Sequence, residues 1–105
     1  MAGLDCTVGI PSNLGAPAEK DAELVRQLVA LGAIPFCRTN LPQTCISFDC
    51  ENPIFGTTVN PRDPKRGPGG SSGGEGALIG GGGSVMGFGE KLLGPGCVER
   101  RLVNE

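Results

Sequence analysis

The stretch AEKDAELVRQLVAL, residues 18–31, sets apolar side chains at helical spacing among charged ones. Leu24, Leu28 and Leu31 fall at i, i+4 and i+7, with Val25 and Val29 alongside. This spacing predicts an amphipathic helix over 18–31. Pro17 suits its first turn, and Glu19, Asp21 and Glu23 complement its positive N-terminal end. Gly32 supplies the stop. The run AIPFC, 33–37, is continuously apolar and reads as a short buried strand, with Pro35 tolerated best at a strand start or edge. A helix, a glycine stop and a buried strand make half of an α/β unit, so the expected fold class is α/β.

Beyond Arg38 the pattern becomes irregular. Asn40 before Leu41-Pro42 marks a helix start, and a short helix is expected over 42–47. From 52 to 70 the chain reads as loop, punctuated by Asn52-Pro53, Asn60-Pro61, Asp63-Pro64 and Gly67-Pro68. Ser71-Ser72 is placed to cap a helix through GGEGALIGG, although each glycine costs a helix about 1 kcal/mol and calls for tertiary support. SVMGFG, 84–89, reads as a short strand. The last sixteen residues, 90–105, are charged and without clear period, so the expected organisation is a partial domain over 1–89 and a divergent tail over 90–105.

Composition narrows the function classes. There are 19 glycines, 9 prolines, four Phe and no Trp or Tyr, so a core built from this chain alone is thin. The net charge of −2, with both signs dispersed, argues against a nucleic-acid partner. No apolar stretch reaches the ~18 residues that a membrane span needs. The start Met1-Ala2-Gly3-Leu4 does not resemble a signal peptide. Five cysteines with no C-x-x-C pattern suggest a reduced, intracellular setting. There is no histidine, which argues against zinc and excludes Ser-His-Asp or Cys-His catalysis within the chain. A nucleophilic serine here needs another base, and lysine is the documented substitute. The lysines are Lys20, Lys65 and Lys91.

The segment GPGGSSGGEGALIGGGGS, 67–84, admits three readings. It can be a flexible linker, but Ala77-Leu78-Ile79 and Val85-Met86 are apolar residues that linkers seldom carry. It can be a phosphate cradle, but no Gly-Lys pair exists, and Gly74-x-Gly76-x-x-x-Gly80 follows PRDPKRGPGG rather than a strand. It can be a serine site at a helix N-terminus, where glycines admit a ligand and unpaired N–H groups stabilise an oxyanion. Glu75 then reads as a general acid, or more simply as a carboxylate favoured by its helix position.

NPRDPKRGPGGSSGGEGALIG, preceded by FDCENPIFG, resembles the hallmark of the amidase signature family of Ser-Ser-Lys hydrolases, in the variant of the animal fatty acid amide hydrolases. The resemblance runs without a gap from about Gly3 to Gly89. It implies part of an α/β fold in which helices cover a large mixed sheet, and hydrolysis of fatty acid amides through an acyl-enzyme, with no cofactor. Ser71 matches the relay serine, which the family holds in a cis peptide between a lysine and the nucleophilic serine. Ser72 matches its hydrogen-bonding neighbour, and Cys45, Ile46 and Phe48 match part of the acyl pocket. The resemblance allows a homo-oligomer and leaves membrane association to parts of the family outside this sequence. Its lysine falls before Met1 in register. After Gly87-Phe88-Gly89 the sequence departs from the family, and Pro95 stands where the nucleophile belongs. The expectation is therefore a fragment that is inactive alone. The alternatives are an amidase of other specificity and a non-catalytic interaction protein.

Overall fold

The computed structural model of the chain describes residues 1–89. The readings of the tail over 90–105, including Lys91 and Pro95, lie outside the described residues. The described residues form two compact units: Met1–Thr7 with Pro11–Arg38, and Val8–Ile10 with residues 39–89.

In the first unit, extended pairing competes with helix and wins at one end. Gly3 N–H donates to the Ala18 carbonyl at 2.9 Å, and Ala18 N–H donates to the Leu4 carbonyl at 3.0 Å, beside a bridge between Asp5 and Pro17. The Asp21 carboxylate accepts the Ala2 N–H at 2.6 Å. Residues 17–18 must stay extended to make these bonds, and Ala22 is still extended at φ −60°, ψ 150°. Helix α1 is therefore Glu23–Ala30, shorter than the expected 18–31. Its end matches the glycine stop. Gly32, at φ +91°, donates to Val29 O, and Ala33 donates to Leu28 O, the paired bonds of a Schellman cap.

The apolar stripe of α1 is only partly covered: Val25 and Leu28 are half-buried, Leu24 is 53% exposed and no residue of α1 is fully buried. The strand expected at 33–37 does not form. Ile34 is 86% exposed and Phe36 65%. Pattern alone does not make a strand; its N–H and C=O groups need a partner ladder, and none runs beside 33–37 among the described residues.

The second unit holds a hairpin where loop was expected. Strand β1, Glu51–Asn52, pairs antiparallel with β2, Gly56–Thr57, in the register Glu51↔Thr57 and Asn52↔Gly56. Thr58 N–H donates to Cys50 O at 2.9 Å and extends the ladder. The Asn52 side chain builds the turn by accepting the N–H groups of Ile54 and Phe55 at 3.0 and 2.9 Å. The turn signal Asn-Pro was correct; the two-residue strands around it are too short to show as alternation.

The helix expected over 42–47 is replaced by a 3₁₀ turn, Gln43–Cys45, in which Thr44 and Cys45 both take left-handed φ, 62° and 60°. Two successive left-handed residues cannot continue an α-helix. Helix α2, Gly73–Gly80, does begin just after Ser71-Ser72. It ends in a second Schellman cap, with Gly82 N–H on Ile79 O and Gly83 N–H on Leu78 O. Residues 84–89 lie in no strand. The two helices and the two-stranded sheet among the described residues are compatible with part of an α/β fold.

Candidate active site around Ser71

The glycine-rich segment is packed, which removes the linker reading. Gly73 and Gly74 are buried at the start of α2. A Cβ on Gly73 would stand 2.5 Å from Cys50 Cβ and 2.9 Å from Pro68 Cγ, and one on Gly74 would run into the backbone of Asn40. These glycines serve close approach rather than flexibility. Their neighbours Cys50 and Pro68 are fully buried and form the floor beneath the helix start. Gly74 N–H, one of the first-turn donors that a helix leaves open, donates to Asn40 O at 3.1 Å.

Ser71 sits immediately before this helix start and is 3% exposed. The Gly70–Ser71 peptide bond is cis. Gly70 is pressed against a second segment: a Cβ there would stand 2.6 Å from Ser47 O and 2.9 Å from Asp49 O. The 47–49 backbone therefore backs the peptide that carries Ser71. Ser72 is half-buried at the N-cap position of α2.

Of the three residues matched to an acyl pocket, Cys45 is half-buried in the left-handed turn, whereas Ile46 and Phe48 are 70% and 69% exposed. Phe48 also lines an open groove of about 530 Å³, with Ser47, Asp49, Arg66 and the backbone of Gly67 and Gly69. Lys20 and Lys65, the lysines among the described residues, are both exposed.

Among the described residues, Cys50 is the buried hydrophobic side chain of this unit. Burial pushes its thiol above the ordinary 9.0, and the Asp49 charge adds to that. Hydrogen bonds from the Thr58 side chain and from the Gly74 and Gly73 backbone pull the other way. Cys6 and Cys37, by contrast, are both exposed.

Sequence reasoning missed the asparagines that hold the site's walls together. Asn52 and Asn60 are each 4% exposed. The Asn52 side-chain amide donates to Asn40 Oδ1 at 2.6 Å and to Leu41 O at 2.7 Å. The Asn40 side chain in turn donates to Gly56 O and Thr58 Oγ1. Asn60 Oδ1 accepts the Arg62 N–H at 2.9 Å. In sequence these residues announce only turns. An Asn directly before Pro, twice within ten residues, was the signal available.

The Amidase family model matches residues 1–91, nearly the whole chain and all of the geometry just described. The chain belongs to the amidase family. Fatty-acid amide hydrolase 1 of Sus scrofa is 52% identical over 72 residues, covering 69% of this chain and 12% of the relative. Fatty acid amide hydrolase 1 of Caenorhabditis elegans is 52% identical over 74 residues, covering 70% and 13%. Amidase 2 of Gibberella moniliformis is 49% identical over 74 residues, covering 70% and 14%. Over the aligned part this amidase sequence is fatty acid amide hydrolase-like, and it spans about an eighth of the length of the curated relatives it matches. Among the described residues, no helix of this amidase segment is long and apolar enough to cross a membrane.

Proposed function

We propose that this chain carries the relay-serine region of an amidase that hydrolyses fatty acid amides through an acyl-enzyme. The observation behind this reading is the buried Ser71 at the entrance to α2, inside a segment half identical to fatty acid amide hydrolases. In this reading Ser71 passes a proton from the nucleophilic serine to a lysine, and Ser72 supports it with a hydrogen bond. Cys45, Ile46 and Phe48 contact the acyl chain. Neither the lysine nor the nucleophile has a counterpart among the 105 residues, and Pro95 supplies neither a hydroxyl nor an N–H. Ser71 alone, with no adjacent base, stays a protonated and weak nucleophile.

The 105 residues assayed alone are expected to hydrolyse no amide and to resist serine-directed fluorophosphonates. The test is reconstruction. The family's upstream lysine segment is added, everything after Gly89 is replaced by the family's continuation, and a long-chain fatty acid amide is assayed. Activity is expected only in the reconstructed protein. Ser71→Ala should lower it by about 10⁴-fold, as loss of one member of a cooperating triad does. Covalent labelling of Ser71 in the unaltered chain would overturn the relay role. The 49% identity to Amidase 2 keeps a second reading open, an amidase of other specificity. A panel of amides of graded acyl length separates the two. A non-catalytic chain would instead leave the reconstructed protein inert and bind a full-length relative.

A further inference from the structure

We infer that Glu75 is a positioning residue, a carboxylate that holds the segment entering the nucleophile's turn against the helix behind Ser71. The inference rests on the amidase reading above. Glu75 stands in the first turn of α2. Its Oε2 accepts the Thr39 hydroxyl at 2.9 Å in a part-buried position. Its Oε1 fills the space beside Gly87 so completely that a Cβ on Gly87 would overlap it. One carboxylate on α2 therefore meets two other stretches of the chain, at Thr39 and at Gly87. The neighbouring bond from Gly74 N–H to Asn40 O, 3.1 Å, fixes the 39–40 side of this clamp. Gly87 lies two residues before the point at which the family's nucleophile turn begins.

A carboxylate in a helix first turn is favourable wherever it points. That general benefit requires neither the Thr39 hydroxyl nor a glycine at 87. The two contacts point to a more specific job. If the 85–89 segment shifts, the following turn shifts with it, and misplacement by about 1 Å lowers a rate by roughly 100-fold. The acyl-pocket candidates lie on a different segment, 45–48, so loss of the clamp should disturb turnover and spare binding.

Two measurements test this. In the full 105-residue chain, an NMR cross-relaxation contact is expected between the Glu75 γ protons and the Gly87 α protons. It should weaken in Thr39→Val and disappear in Gly87→Ala. In the reconstructed amidase, Thr39→Val, Glu75→Gln and Gly87→Ala should each lower kcat by about 10-fold to 100-fold at unchanged KM. Thr39→Ser should restore the rate, and Thr39→Val combined with Glu75→Gln should lose no more than the worse single variant. Absence of the contact in a chain whose α2 is helical overturns the inference. So does a raised KM at unchanged kcat, or full additivity of the pair. A reconstructed protein that is inactive with native Glu75 counts against the amidase reading instead, and the NMR contact then decides the clamp alone.

Discussion

Cys50 lies directly under the start of α2, where a thiol meets the backbone N–H groups of Gly73 and Gly74. At a helix start such donors usually favour the thiolate, but here burial outweighs them and the thiol holds its proton above the ordinary range. At pH near 9.0, where an ordinary thiol is half ionised, less than half of Cys50 is thiolate. Iodoacetamide at pH 8–9 is expected to alkylate the exposed Cys6 and Cys37 first. Cys50 should lag by about tenfold or more, since both access and thiolate fraction are reduced. Peptide mapping of a time course reads this directly. Equal rates at Cys50 and Cys6 would mean that the floor beneath Ser71 is open. Ser71, 3% exposed, lies between Gly70 and Gly73, both of which are packed too closely for a Cβ.

The hairpin β1–β2 is held less by its two-residue strands than by one side chain. Asn52 accepts from Ile54 and Phe55 and donates to Asn40 and Leu41. A two-stranded hairpin is marginal in water unless something else fixes it. Asn52→Ala should therefore open the turn. Each hydrogen bond contributes about 1 kcal/mol, so amide exchange at Ile54 and at Phe55 should each speed by roughly fivefold. The effect should spread to Thr58 through the Asn40 side chain, which donates to Thr58 Oγ1. Unchanged exchange at Ile54 would show that the backbone ladder alone holds the turn. Helix α1 is the opposite case. Its C-terminal cap is complete, but Ala22 gives its start no side-chain cap and its apolar stripe is only partly covered.

Over the whole molecule, apolar surface remains in water that a finished domain would bury. Leu31, Ile34 and Phe36 are 85%, 86% and 65% exposed, and Ile46 and Phe48 about as much. Contiguous exposed apolar surface and unpaired strand-like segments favour association. The isolated chain should melt broadly rather than cooperatively, bind a hydrophobic dye such as ANS, and associate as concentration rises. Calorimetry and light scattering check this. A sharp transition of a concentration-independent monomer would show that these 105 residues form a self-sufficient domain. The reconstructed amidase should bind less dye per residue, as the added segments cover these side chains.

Local chemistry was determined by the sequence itself. The stop at Gly32, the helix after Ser71-Ser72 and the turns at Asn-Pro each depend on backbone permissions that a residue carries with it. The amidase motif was legible for the same reason, since Gly-Gly-Ser-Ser-Gly-Gly prescribes a close-packed backbone at fixed spacing. Tertiary structure alone decided the outcomes that depend on a distant partner. Residues 18–22 match the helical pattern, but Ala18 bonds to Gly3 and Leu4 and stays extended. AIPFC has the composition of a buried strand, but a strand exists only where another supplies its ladder. Thr44 and Cys45 turn left-handed although nothing in their residue types asks for it, and the Thr44 N–H donates to Val8 O at 2.9 Å. Glu75 looked like an ordinary helix-start carboxylate, and only the approach of Thr39 and Gly87 from far along the chain gave it two further partners. Propensity acts over a few residues, whereas burial and hydrogen-bond satisfaction act across the whole chain and prevail where the two conflict.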